Sequence, residues 1–382
     1  MTVAPHHKGA WQDKALNERW EVFNVNPETE FPVYRVIDQD GQLVGERSGI
    51  TNHQLKEFYR WLVTLRTLDQ RAWNLQRQGR IGTYAPFSGQ EAAQIGVAAT
   101  LRPTDWICPS YRDWPVLAYL GTPLHYPLLG SMGHPEAGHI PDEIPSLPAQ
   151  VVIAAQILHA VGLAWSAKLQ RQDRIAVTFF GDGATSQGDF HEALNLASVM
   201  KVPVIFVAQN NQWAISVPVH RQMNTPTIAQ RALAYNVEGI RVDGNDIAAV
   251  YQTFMDLQKR VREGSGPALV EAVTYRLGAH TTADDPTRYR IGDDDTPFRR
   301  GEPVARLRRY LENEHILSPS DFEAMDQDAK IVVDKAVETA EAYPKNPPET
   351  IFDHVYAELT PQLVRQRQEF AQHLSDGGDI HG

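Results

Sequence analysis

The stretch from Ile175 to Asn211 restricts what this chain can fold into more than any other. It opens on an apolar run, Ile175–Phe180, and turns through Gly181-Asp182-Gly183. It continues in a helical pattern over Gly188–Met200 and closes on a second apolar run, Val204–Gln209, followed by Asn210 and Asn211. Two apolar runs joined by a helix predict a βαβ crossover, in which parallel strands lie close and end at the same edge of the sheet. The runs are continuous rather than alternating, so both faces of the sheet should be covered.

The same rhythm extends to either side. A helical pattern starts at Asn52 and stops at Gly79, another helix starts near Glu91, and Trp106–Pro109 is strand-like. After the central unit come a helix near Ile228–Tyr235, a strand at Gly239–Val242, a helix at Ile247–Glu263 and a strand at Ala268–Tyr275. Alternation of this kind predicts an α/β fold, a parallel sheet with helices on both faces. Residues 1–50 are polar and Pro-punctuated. They read as an N-terminal arm with a short hairpin at Pro32–Val44 around Asp40-Gly41. Residues 51–300 read as the sheet domain, and 301–382 as a helical C-terminal region with a frayed end.

Composition removes several function classes. The formal net charge of -11 argues against a nucleic-acid binder, which needs clustered positive charge. Cys108 is the single cysteine, so no internal disulfide can form and a reducing cytoplasm fits. The opening residues, MTVAPHHKGAWQDKALNERW, lack the apolar core of a signal peptide. Val151–Leu169 is nearly free of charge, but Gln156, His159, Ser166 and Lys168 interrupt it. It is expected to be a fully buried helix of a large protein rather than a membrane span.

The chemistry concentrates where the two central strands end. Asp182 follows one strand and Asn211 the next, so both should reach the edge where open α/β sheets bind ligands. A carboxylate and an amide oxygen suit a hard cation such as Mg2+. That ion commonly keeps open positions for phosphate oxygens. Gly181 and Gly183 let a backbone approach phosphates closely. Gly-Asp-Gly alone is a turn and Asn-Asn alone a loop; placement on neighbouring strand ends gives the pair its meaning.

The segment GDGATSQGDFHEALNLASVMKVPVIFVAQNN resembles the thiamine-diphosphate motif, which runs from Gly-Asp-Gly to a terminal Asn-Asn. With RQGRIGTYAPFSGQEAAQIG, PSYRDWPVL, NNQWAIS, RVDGNDIAAVY and TYRLGAHTTADDPTRYR, the chain is similar to alpha subunits of the decarboxylating component of 2-oxo acid dehydrogenases over about residues 30–365. The resemblance implies a thiamine-diphosphate-binding fold. It also implies metal ligation by Asp182, Asn211 and the backbone carbonyl of Trp213. Tyr111, Arg112, Gly183 and Ala184 match positions at the cofactor diphosphate, and a guanidinium at 112 suits phosphate oxygens. An ion pair of Arg112 with Asp113 is the competing expectation. Ile153 matches the aliphatic residue that bends the cofactor; without the resemblance it reads as core.

His280 matches the family's catalytic histidine. A side chain that can hold a proton near neutral pH suits oxyanion stabilisation or protonation of a lipoyl sulfur. Gln209 stands where some branched-chain members carry Arg, and it is expected to donate a hydrogen bond to phosphate instead. In animal relatives the loop after His280 carries a phosphoserine, matched here by Thr281 and Thr282. The favoured expectation is a channel loop ordered by Asp–Arg pairs.

The resemblance places the Glu that activates the aminopyrimidine on a separate subunit, and no second α/β domain after residue 300 is read that could supply it. The resemblance therefore implies a beta subunit, an α2β2 heterotetramer, and acyl transfer to a lipoylated acyltransferase component. Small residues Ala154, Ala155, Ala160 and Gly162 suit tight packing at such an interface. The small-molecule substrate is pyruvate or a branched-chain 2-oxo acid. Of the alternatives, a Rossmann dehydrogenase lacks its Gly-rich fingerprint after a strand. A non-catalytic scaffold subunit sits poorly with intact Asp182, Asn211 and His280.

Overall fold

The computed structural model describes residues 27–290, 296–348, 350–353 and 355–377. The first twenty residues, read as lacking a signal peptide's apolar core, and the frayed end beyond residue 377 lie outside these. Six parallel strands form the central sheet: β1 (Val33–Tyr34), β2 (Trp106–Cys108), β3 (Ala176–Gly181), β4 (Val204–Asn210), β7 (Glu238–Asp243) and β8 (Ala268–Val273). Their order is β1-β7-β8-β4-β3-β2. A small antiparallel ribbon, β5 (Trp213–Ala214) with β6 (Val217–Pro218), stands beside it.

Helices cover both faces. Val177, Phe179, Ile205 and Val207 belong to a core shared with α1 (Asn52–Arg77), α2 (Glu91–Ala98) and α5 (Ile247–Arg262). Ala176, Phe180, Val204, Phe206 and Ala208 belong to the opposite core, with α3 (Ala155–Leu169) and α4 (Gly188–Met200). Each residue of β4 is buried, which is why the strand reads as one apolar run. Two C-terminal helices, α6 (Pro303–Asn313) and α7 (Pro319–Glu341), pack on α1.

The register places the site. Gly181 pairs with Gln209 across β3 and β4, and Asn210 pairs with Val273 across β4 and β8. Asp182, Asn211 and the chain beyond β8 therefore leave the sheet together. Local signals fix the helices that bring other walls: Thr51 and Gln54 form a capping box on α1, and Asp246 caps α5. At the other edge, Val33–Tyr34 adds a parallel strand to β7, and Asp38 and Gly41 make the turn expected there, with a bridge between Ile37 and Leu43.

One expectation is overturned. The run Val151–Leu169 is neither one helix nor fully buried. The helix begins at Ala155, and its buried side chains (Gln156, Ile157, Ala160, Val161, Ala164 and Ala167) form a single face. Val151 is 74% exposed, Val152 68% and Ile153 42%. Gly162, expected at an interface with a partner subunit, meets nothing of this chain within 4 Å of where a Cβ would sit. An apolar composition does not show which face the rest of the chain covers. No helix among the described residues is long and apolar enough to cross a membrane.

Candidate active site

A cavity of about 640 Å3 opens at the carboxyl edge of β2, β3, β4 and β8. The structure brings Tyr111, Arg112, Ile153, Asp182, Gly183, Ala184, Asn211, Trp213 and His280 to its wall. Ile153 is there as a half-exposed side chain before α3, not as core.

Asp182 dominates its electrostatics. It is 1% exposed, and neither carboxylate oxygen has a hydrogen-bond partner. Burial pushes its pKa up to about 7, against smaller opposing pulls from backbone N–H groups and Arg276. A buried carboxylate without partners is costly unless a cation meets it. The turn carrying it is held firmly. Gln222 Nε2 donates to Asp182 O at 2.9 Å and to Ser186 Oγ at 2.8 Å. At Gly183 a Cβ would come within 2.9 Å of Ala214 Cβ, so the turn passes close against the ribbon.

The two asparagines part ways. Asn210 turns inward and donates to Glu271 Oε1 at 2.7 Å. Glu271 in turn accepts from Ile228 N and Ala229 N, which makes Asn210 part of the framework. Asn211 faces the cavity, donates from Nδ2 to Gln90 Oε1 at 2.8 Å and accepts Trp213 N at Oδ1, 3.2 Å. Gln212 between them is left-handed (φ 73), as are Ile215 (φ 56) and Ala154 (φ 73) at the same cavity. Such non-glycine residues cost roughly 1–2 kcal/mol each, and they gather where function dictates the backbone. The Trp213 carbonyl already accepts from Arg276 Nη1 at 3.2 Å.

Positive charge faces Asp182 without carboxylate partners of its own. Arg112 does not pair with Asp113. Its Nη1 donates to Pro86 O and its Nη2 to His280 O at 2.9 Å. Asp113 accepts from Ser110 N, Gln94 and Gln209 instead. Arg276 was not singled out by sequence, yet it is 1% exposed and donates to Ile215 O at 2.7 Å and Tyr289 Oη at 3.1 Å. Burial, with Arg112 and Arg290 nearby, lowers its pKa to about 10. Only the loop position of Arg276, just past β8 and four residues before His280, could have drawn attention to it.

These guanidiniums decide the state of His280. Its Nδ1 lies 3.2 Å from Arg112 Nη2 and 3.4 Å from Arg276 Nη1. Guanidinium groups only donate, so Nδ1 accepts and the proton sits on Nε2. Burial first, then Arg112 and Arg276, lower the pKa to about 4. His280 is therefore a neutral Nε2–H donor at neutral pH, its pKa held below the ordinary range in which a histidine exchanges its proton.

Gln209 engages both ends of its amide with other side chains and keeps one Nε2 hydrogen uncommitted. Its Nε2 donates to Asp113 Oδ1 at 2.6 Å, and its Oε1 accepts from Gln90 and Gln94 at 2.9 Å each. The loop after His280 is ordered mainly by Asp284, which accepts from His280 N at 2.8 Å and from the Tyr289 hydroxyl. Arg290 caps Leu277 O and Arg276 O. Among the described residues the Asp–Arg pair in this loop, Asp285 with Arg288, is exposed. Thr282 is 2% exposed and exchanges hydrogen bonds with the Tyr84 backbone, so only Thr281 is accessible to a modifying enzyme.

The sequence profile of the family described as "Dehydrogenase E1 component" matches residues 59–349. The chain belongs to that family. It is 39% identical over 342 residues to the pyruvate dehydrogenase E1 component subunit alpha of Bacillus subtilis, covering 89% of this chain and 92% of that one. It is 42% identical over 344 residues to the 3-methyl-2-oxobutanoate dehydrogenase subunit alpha of Mycobacterium tuberculosis, 89% and 94% of the two chains. The Staphylococcus epidermidis pyruvate dehydrogenase E1 component subunit alpha matches at 38% over 362 residues, 94% and 98%. The activity of this E1 family is oxidative decarboxylation of a 2-oxo acid, and the chain is of its alpha-subunit type.

Proposed function

We propose that this E1 alpha chain holds the diphosphate end of thiamine diphosphate through one divalent metal, with Mg2+ the natural choice. One observation carries the reading: a buried carboxylate with both oxygens unpartnered shares a cavity with two guanidiniums that form no ion pair among the described residues. A metal–diphosphate complex supplies both missing charges at once. Asp182 Oδ and Asn211 Oδ1 are the side-chain donors for the metal, with the Trp213 carbonyl as the third. Arg112 and Tyr111 face the diphosphate, and the backbone at Gly183 and Ala184 leaves it room. Among the described residues no group of three His, Cys, Asp or Glu forms a metal cluster, so an oxygen set completed by the cofactor is the arrangement these side chains support.

The bound cofactor supplies a carbon nucleophile and an electron sink for decarboxylation. This chain's own residues orient and protonate. Ile153, placed in the cavity wall just before α3, supports the bent form of the cofactor. His280 presents Nε2–H, held in that tautomer by two cations on Nδ1, and can donate to a developing oxyanion or an arriving sulfur. Relatives named as alpha subunits imply a beta subunit. It provides the activating carboxylate in an α2β2 assembly, with the acyl group leaving to a lipoylated acyltransferase component. Val151, Val152 and Ile215, exposed beside the cavity, are apolar surface of the kind a partner covers.

The test is reconstitution with the beta subunit. Mg2+-dependent binding of thiamine diphosphate and lipoyl-dependent turnover are measured with pyruvate and with 3-methyl-2-oxobutanoate. The ratio of the two rates assigns the substrate. Full metal-dependent activity in an Asp182→Ala assembly would sink the metal-site reading. Absence of turnover with intact cofactor binding would favour a scaffold subunit.

A further inference from the structure

Beneath the cavity lies a cluster of side-chain amides that the chemistry above does not use. Gln90, Gln94, Asp113 and Gln209 are each no more than 2% exposed. They come from three separate places: the start of α2, the segment after β2 and the end of β4. Their hydrogen bonds run in one direction. Asp113 accepts Ser110 N at Oδ2, 2.7 Å, and Gln209 Nε2 at Oδ1, 2.6 Å. Gln209 Oε1 accepts Gln90 Nε2 at 2.9 Å. Gln90 Oε1 accepts Asn211 Nδ2 at 2.8 Å. Gln94 Nε2 supports the same polarity, donating to Asp113 Oδ1 at 3.1 Å and to Gln209 Oε1 at 2.9 Å.

A side-chain amide can face either way, because its oxygen and nitrogen ends have nearly the same shape. For Asn211 the choice matters: one face offers an oxygen lone pair to a metal, the other an N–H that repels it. A carboxylate has no such freedom, since when ionised it only accepts. Asp113 therefore obliges Gln209 to present Nε2 to it and Oε1 away from it. Gln90 must then turn Nε2 to Gln209 and Oε1 to Asn211, and Asn211 must turn Nδ2 to Gln90. Reversing any one member would set two buried donors, or two buried acceptors, against each other.

We propose that Asp113 is a positioning residue for the metal site, acting through Gln209 and Gln90 to fix Asn211 with its amide oxygen toward the metal. The inference rests on the metal-site reading above. It also accounts for both ends of Gln209 being turned to other side chains: they are links in this relay. Residues that orient a metal ligand through hydrogen bonds typically affect affinity by roughly 10–100-fold.

The experiment is a double-mutant cycle on the αβ assembly, reading Mn2+ affinity in the presence of thiamine diphosphate by the paramagnetic resonance signal of free Mn2+. Asp113→Asn ends the acceptor-only terminus, because an amide set between Ser110 N–H and Gln209 can face either way. It is expected to weaken Mn2+ binding roughly tenfold or more. Gln90→Glu places an acceptor-only group directly against Asn211 Nδ2, so the orientation no longer depends on residue 113. On that background the same Asp113→Asn change is expected not to weaken binding by more than about threefold, since an amide at 113 can donate to the Gln209 oxygen and free Nε2 for Glu at 90. A residue that merely fills space would weaken binding equally on both backgrounds, and that result overturns the proposal. So does an Asp113→Asn assembly within twofold of the unmodified one. If Asp113→Asn prevents assembly, Gln209→Met cuts the relay at its middle and is expected to give the same loss; unchanged affinity there also overturns it. Asp182→Ala run alongside separates the two ideas. Mn2+ binding unaffected by Asp182→Ala removes the metal-site reading itself, whereas loss with Asp182→Ala and none with Asp113→Asn removes the relay alone.

Discussion

Two ends of the same sheet treat buried carboxylates in opposite ways. After β7, Asp246 is fully buried and accepts four backbone N–H groups, from Val36, Ile37, Ala248 and Ala249. Its neighbour Asp243 pairs with Arg306 at 2.8 Å and with Arg35 at 2.7 Å. After β3, Asp182 is equally buried and has no hydrogen-bond partner, while Arg112 and Arg276 close by form no ion pair among the described residues. Burial raises both pKa values, to about 6 at Asp246 and about 7 at Asp182. The difference teaches that a buried charge marks a ligand site through what it lacks. Asp246 and Asp243 clamp Val33–Ile37 and α6 to the sheet; Asp182 and the two arginines remain to be matched from outside.

Four measurements would break or sharpen that contrast. The largest effect is expected at the satisfied end. Asp246→Ala leaves four buried N–H groups unpaired and should cost roughly 3–5 kcal/mol in urea unfolding. A cost below 1 kcal/mol would erase the distinction between the two ends. Asp182→Asn should do the reverse in the cofactor-free chain. Its folded pKa lies above the usual 3.8, so the stability linked to its proton is present below that pH and is lost as pH rises through about 7. The amide cannot ionise. The variant should therefore be more stable than the unmodified chain at pH 8, by about 1–3 kcal/mol, with no difference near pH 3.5. The same variant should weaken metal-dependent cofactor binding by at least about a hundredfold, beyond what outer hydrogen-bond partners usually contribute.

A third measurement concerns the unmatched cations. His280 has its pKa lowered to about 4 by burial, Arg112 and Arg276. A depressed histidine pKa contributes stability above the ordinary 6.5 that is lost as pH falls toward 4. Arg276→Gln removes one of the two charges and should raise the His280 pKa by about one unit, followed by NMR titration of the ring. No shift would mean that the guanidiniums do not set the state of the imidazole. The smallest effect is expected at Thr282→Val. It loses one buried hydrogen bond with Tyr84 N and should cost roughly 0.5–1.5 kcal/mol while leaving cofactor affinity unchanged.

The sheet was legible because its strands are buried on both faces and therefore spelled in uninterrupted apolar letters. Ile175–Phe180 and Val204–Gln209 each fall within one residue of β3 and β4. The pairing of Asp182 with Asn211 followed from the crossover alone. Other features depend on contacts that no local pattern records. The partners of Gln209 lie about a hundred residues away, so its place among Gln90, Gln94 and Asp113 could not be read from its neighbours. The competing expectation of an Arg112–Asp113 pair rests on adjacency alone, but these adjacent side chains after a strand diverge. Val151–Leu169 looked wholly buried because apolar residues on an exposed face are spelled like those of a core. The two-residue strand β1 is too short to carry any periodicity.

The unpartnered Asp182 also bears on how long such a chain survives in a cell. A ligand that binds only the folded form adds stability in proportion to the logarithm of its concentration over its dissociation constant. On the proposed reading, cofactor and metal relieve the burial cost at Asp182, so thiamine supply would act on turnover as well as on catalysis. A chain made during thiamine shortage should be cleared faster than Asp182→Asn made under the same conditions, and equal half-lives in a pulse-chase comparison would contradict this.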